Sequence, residues 1–184
     1  MKQWLRLVLG LVTVVFLAGC ASSGPERDIN DPANSLVFGY IDMDGAPTGV
    51  NAASVMQVAP PSETPYWALA VTKGLFVNAY LPPGSYQLSS FSGSGFFAGQ
   101  HEYIMPRQGN ETSLRIVKPG IYFLGSYKYG KVKTGIFEQG KFSIKKTDNP
   151  TEAELLKRVL DESDGIRQSA WGNKIRARLA QLKQ

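Results

Sequence analysis

The 184-residue chain has one cysteine, Cys20, and one histidine, His101. A single cysteine excludes an intramolecular disulfide and any zinc site built on cysteine pairs. A single histidine excludes an HExxH metal centre, and beside Glu102 it reads as a strand-end or turn residue. No GxSxG occurs, so there is no nucleophile elbow. Gly93-Ser94-Gly95-Phe96-Phe97-Ala98 fits the letters GxGxxA. A dinucleotide site needs a helix N-terminus behind those glycines, whereas an aromatic pair and a strand-like stretch follow here. Asp42-Met43-Asp44-Gly45 holds half the oxygen ligands of a calcium loop without the distal glutamate, and reads as a turn. A sustained helical period is missing from residues 35–147, which argues against βαβ units. No catalytic constellation emerges; no cofactor, metal or nucleic acid is expected, and the chain is read as non-enzymatic.

Long apolar runs are also scarce. The longest, Leu7–Phe16, is too short for a comfortable membrane span, which needs about 20 apolar residues. It follows the cationic start Met1-Lys2-Gln3-Trp4-Leu5-Arg6 and precedes Leu17-Ala18-Gly19-Cys20, after which the chain turns polar. That order describes a secretory signal. Leu17-Ala18-Gly19-Cys20 resembles the bacterial lipobox at all four positions. The resemblance implies cleavage after Gly19, a diacylglyceryl group on the Cys20 sulfur and an acylated new amino terminus. Each buried methylene adds about 0.8 kcal/mol, so two or three chains anchor firmly. In such lipoproteins an aspartate after the cysteine favours inner-membrane retention. Ala21 stands there, so the resemblance implies the outer membrane, facing the periplasm.

Beyond that leader the chain carries 18 basic and 15 acidic side chains, unevenly placed. Residues 21–114 hold 3 basic and 8 acidic groups, and residues 115–150 hold 8 basic and 2 acidic. The stretch Tyr127-Lys128-Tyr129-Gly130-Lys131-Val132-Lys133 is either a lysine-guarded strand edge or a contact surface for anionic envelope material. Lys128, Lys131 and Lys133 are therefore candidate contact residues.

Residues 21–34 are polar and aperiodic and read as a flexible tether with a reach of roughly 20 Å. Residues 35–147 read as all-β. Candidate strands are Leu36–Ile41, Ser54–Ala59, Tyr66–Thr72, Leu75–Leu81, Tyr86–Phe91, Glu102–Met105, Ser113–Val117, Ile121–Tyr127, Val132–Glu138 and Lys141–Lys146, divided by Gly- and Pro-rich turns. Short strands at this spacing argue for a sandwich or barrel. Pro83-Gly84-Ser85-Tyr86-Gln87-Leu88-Ser89 and Pro119-Gly120-Ile121-Tyr122-Phe123-Leu124-Gly125-Ser126 share PGxYxL, 36 residues apart. They predict two similar hairpins through type II turns, with glycine supplying the positive φ.

The unit Phe76–Leu81, Pro82-Pro83-Gly84, Ser85–Leu88 resembles the carboxypeptidase-regulatory and transthyretin-like β-sandwiches over roughly half of the β region. The resemblance implies a sandwich of seven or eight strands with an accessory or binding role. It carries no functional residues to transfer.

Thr151-Glu152-Ala153-Glu154 is a capping box. Leu155, Leu156, Val159 and Leu160 follow as an apolar stripe that Asp164-Gly165 is expected to end. Trp171, Ile175, Leu179 and Leu182 share one face of a second helix. The pair predicts a helical hairpin, packed on itself or the sandwich, or else left for a partner or membrane surface.

The expected organisation is a mainly β protein: a signal peptide over 1–19, lipidated Cys20 and tether over 20–34, an antiparallel β-sandwich over 35–147 and a C-terminal helical segment over 148–184. Its expected partners are membrane lipid through acylated Cys20 and an envelope protein or anionic envelope polymer. Phe96 and Phe97, in a Gly/Ser-rich loop, are the aromatics best placed to touch a ligand or glycan.

Overall fold

A computed structural model describes residues 27–95, 99–105, 112–132 and 142–183. Strands β1 Ser35–Asp42, β2 Ala52–Ala59, β3 Tyr66–Thr72, β4 Leu75–Leu81, β5 Gly84–Gly95, β6 Gly99–Ile104, β7 Ser113–Ile116, β8 Ile121–Lys131 and β9 Phe142–Thr147 precede helices α1 Glu152–Glu162, α2 Asp164–Gln168 and α3 Ala170–Gln181. The alternating runs over β3 and β4 form strands at the expected boundaries. Lys73 and Gly74 between them both have positive φ, 48° and 79°, as a two-residue hairpin turn demands. The strand expected over Val132–Glu138 is not formed at Val132, and residues 133–138 lie outside the described residues.

The expected antiparallel sandwich of separate sheets is corrected. The strands form one sheet in the order β6-β5-β2-β3-β4-β1-β8-β9, with β7 also on β5. It is mixed, because β1 runs parallel to β8 and antiparallel to β4. The sheet curls into a half-barrel, and its corner lies in β3. Ala53, Ser54, Val55 and Met56 of β2 pair with Leu69 back to Tyr66, whereas Ala70 to Thr72 pair with β4. A strand that changes partners in this way turns one layer toward the other. Asn78 bridges the resulting gap: its Nδ2 donates to the Ala68 carbonyl at 2.7 Å and its Oδ1 accepts from the Tyr80 N–H at 2.7 Å.

The PGxY motifs join opposite halves of the sheet and are not hairpins. β4 and β5 are not partners, nor are β7 and β8. Each motif is an arch closed by its tyrosine. Tyr86 Oη donates to the Pro82 carbonyl at 2.7 Å and Tyr122 Oη donates to the Lys118 carbonyl at 2.6 Å. A tyrosine hydroxyl returning to backbone a few residues upstream pins such a corner. Neither glycine has the expected positive φ. Gly84 is needed for space, since a Cβ there would stand 2.9 Å from the Ala59 carbonyl oxygen and 3.2 Å from the Tyr86 ring.

Two cores result. Val37, Ile41, Val55, Leu69, Phe76, Leu88 and Phe91 fill the concave side. Leu36, Phe38, Leu75, Val77 and Ala79 face outward against Leu155, Leu156, Val159, Ile166, Trp171 and Ile175. The helices are thus packed on the sheet. The capping box forms: Thr151 Oγ1 accepts from the Glu154 N–H and Glu154 Oε2 accepts from the Thr151 N–H at 2.7 Å. Those bonds hold the Glu154 carboxyl below its ordinary pKa. The first helix ends at Glu162, and Asp164-Gly165 opens the short α2 instead of stopping the chain, so the expected hairpin is a three-helix segment. Leu182 lies past the end of α3 and is exposed. Arg178 of α3 reaches Glu152 of α1 at 2.9 Å, tying the ends together.

Leu156, fully buried between α1 and the sheet, is expected to cost about 2–5 kcal/mol on replacement by alanine, read from urea unfolding. Burial pushes the Tyr86 hydroxyl from 10.0 up to about 12. The native state therefore holds its proton where the unfolded chain loses it. The stability this provides is complete below pH 10 and lost as pH rises toward 12. Tyr86→Phe is expected to cost about 1 kcal/mol at neutral pH and to flatten the alkaline fall, measured by unfolding at stepped pH.

Candidate functional site

The strand registers give the half-barrel two distinct ends. The arches Pro82-Pro83-Gly84 and Pro119-Gly120 lie at one end, beside Ser35. Asp42, Ala52, Gly95, Gly99, Lys131 and Phe142 lie at the other, the mouth. The outer strands β6 and β9 are the two extremes of the sheet, and no backbone ladder joins them. Aromatic rings do so at the mouth. Phe91 of β5 stacks on Tyr103 of β6 with centroids 4.8 Å apart. Phe142 of β9 meets Tyr103 edge-on at 5.1 Å and Phe91 at 5.7 Å. Tyr129 of β8 meets Tyr103 edge-on at 5.8 Å. Offset and edge-on pairs of this kind contribute about 0.5–1.5 kcal/mol each beyond burial.

The mouth holds two buried hydroxyls that lack a hydrogen-bond partner, Thr48 Oγ1 and Tyr103 Oη. They face one another without hydrogen-bond geometry. Burial raises the Tyr103 pKa, the Thr48 hydroxyl partly offsets that rise, and Tyr129 adds to it. The rings belong to the buried core, so the two hydroxyls are polar groups enclosed within an aromatic cluster, where an unmet hydrogen bond carries its full cost.

His101 sits on β6, half-buried, its ring 6.4 Å from that of Tyr103. Asp42 and Asp44 form a turn, with the Asp44 N–H donating to Asp42 Oδ1 at 2.9 Å. No group of three histidine, cysteine or acidic residues that could hold a metal ion occurs among the described residues. Lys128 is exposed on β8 with its Nζ 3.4 Å from Asp42 Oδ2, and Lys131 is exposed at the mouth. Cys20, Phe96, Phe97 and Lys133 lie outside the described residues. The convergence of Phe91, Tyr103 and Tyr129 with Phe142 has no signal in the sequence, because it depends on how far the sheet curls.

A second concavity, of about 420 Å³, opens on the outer face where β3 leaves β4; Ala68, Ala70, Ala79, Tyr80, Ile166 and Arg27 line it. Arg27 also stacks over the Trp67 ring at 4.3 Å. Ile29 and Asn30 fasten this N-terminal segment to the helices, their carbonyl and Oδ1 accepting from Trp171 Nε1 and the Ala170 N–H, both at 2.9 Å.

No family model, no curated protein and no solved structure matches this chain.

Tyr103→Phe removes a buried hydroxyl whose approach to Thr48 falls short of hydrogen-bond geometry, so it is expected to leave stability unchanged or to raise it, in contrast to Tyr86→Phe. Parallel urea titrations of the two variants check this. A loss above about 1 kcal/mol for Tyr103→Phe would mean that the hydroxyl is satisfied in solution.

Proposed function

We propose that this chain is the precursor of an envelope lipoprotein. It is cleaved after Gly19 and acylated on Cys20, and its mature domain is a non-enzymatic structural and protein-interaction module. The observation that carries the reading is the sequence Leu17-Ala18-Gly19-Cys20 directly behind a cationic start and a short apolar run. The fold is compatible with it. The chain reaches the domain at Arg27, beside Tyr80 and Trp67 at the arch end. No helix among the described residues is long and apolar enough to cross a membrane. Ala21 stands where an aspartate would favour inner-membrane retention, so the outer membrane, facing the periplasm, is the favoured location. Kinship with carboxypeptidase-regulatory and transthyretin-like domains is proposed on the Phe76–Leu88 unit alone, and the single mixed sheet departs from their sandwich.

A second reading, a glycan- or small-ligand-binding module, rests on the aromatic pair Phe96 and Phe97, which follow Gly95 in the chain.

Cys20→Ser is expected to accumulate as an uncleaved, unacylated precursor, whereas the native protein should begin at an acylated Cys20. Intact mass spectrometry of both membrane fractions reads the difference. Normal processing of the serine variant would overturn the lipoprotein reading.

A further inference from the structure

We infer that the β8–β9 ribbon is a docking surface for a linear anionic polymer, held away from the membrane that anchors the protein. The orientation rests on the lipoprotein reading; the surface itself does not.

Lys128, Lys131, Lys145 and Lys146 are all exposed on this ribbon. Lys128 and Lys145 are direct cross-strand partners, an arrangement that like charges disfavour. Asp42 pairs with Lys128, while Lys131, Lys145 and Lys146 have no ion pair with a described residue. Side chains alternate along a strand. Lys145 therefore leaves β9 on the Lys128 side and Lys146 on the Phe142 and Ile144 side, so positive charge wraps the outer edge of the sheet. Guarding an edge against pairing accounts for lysines on β9. It does not account for Lys128, because β8 is paired on both sides there, to β1 and to β9. Charge on both faces of one edge suits a chain that can bend around it. A flat surface would meet only one side.

The tether decides between a polymer and the anchoring membrane. Six residues stand between Cys20 and Arg27, and a linker of that length typically spans about 15 Å. Arg27 lies level with Tyr80, at the arch end where Leu36 pairs with Ile121. From there, six to nine strand residues lead to Lys128 and Lys131, about 20–30 Å at 3.3 Å per residue. Upright on an anchor at the arch end, the domain holds the ribbon clear of the lipid surface.

The test uses the full-length protein purified in neutral detergent. Polygalacturonate, a carboxylate polysaccharide, serves as the polymer probe, with neutral dextran as control. Retention on polygalacturonate alone, weakening as salt rises, is expected. Lys128→Glu combined with Lys145→Glu should lower affinity about 10-fold or more. Lys145→Gln provides a milder variant, and an unchanged melting curve shows that the fold survives. In vesicles, a fluorophore on Lys145→Cys should transfer little energy to headgroup-labelled lipid, and one on Ala33→Cys much more. Equal polymer affinity for the double variant overturns the inference. So does charge-dependent binding to phosphatidylglycerol vesicles without binding to the polymer, which would make lipid the partner. The protein's mass reports acylation of Cys20 separately, so the anchor reading and the surface fail on different measurements.

Discussion

Everything in this fold depends on β1 being buried on both faces. Leu36 and Phe38 point one way, Val37 and Ile41 the other, and all four have almost no exposure. A strand in that position needs a layer on each side. The curled sheet supplies one and the helical segment supplies the other. The C-terminal helices are thereby structural: without them, the outer faces of β1 and β4 would present Leu36, Phe38, Leu75 and Val77 to water. The parallel pairing of β1 with β8 follows from the same demand, since parallel pairs are characteristic of strands covered on both sides.

The concave core imposes a second constraint. The sheet curls far enough for its extreme strands to approach but not far enough for their backbones to pair. Side chains close the gap. The rings of Phe91, Tyr103, Tyr129 and Phe142 join the two edges at the mouth, and the tyrosine-pinned arches hold the opposite end. The arches and the bridging Asn78 are placed where the ladder breaks, so backbone groups freed by the curl are met by side chains. Among the described residues, Thr48 Oγ1 and Tyr103 Oη at the mouth and Trp67 Nε1 on β3 are the buried side-chain groups left without a hydrogen-bond partner.

The distribution of charge along the chain acquires meaning only in this frame. Acidic Asp42 and basic Lys128 meet toward the mouth, Lys131 stands there as well, Lys145 and Lys146 continue the basic edge on β9, and Arg115 and Lys118 lie at the arch end.

Local chemistry was legible from residues alone. The capping box at Thr151 and Glu154, the Lys73-Gly74 turn, the boundaries of β3 and β4 and the apolar stripe of α1 each depend on neighbours within a few positions. The kinship of the two PGxY segments was also visible, although their shape was not: proline, glycine and tyrosine at that spacing suit a hairpin or an arch equally well, and the choice depends on which distant strands lie alongside. The single curled sheet, the parallel partner of β1, the Asn78 bridge and the meeting of Tyr103 with Phe142 were settled by tertiary structure. Each requires residues separated by tens of positions to be brought together, and alternation within a strand specifies its faces but not its neighbours.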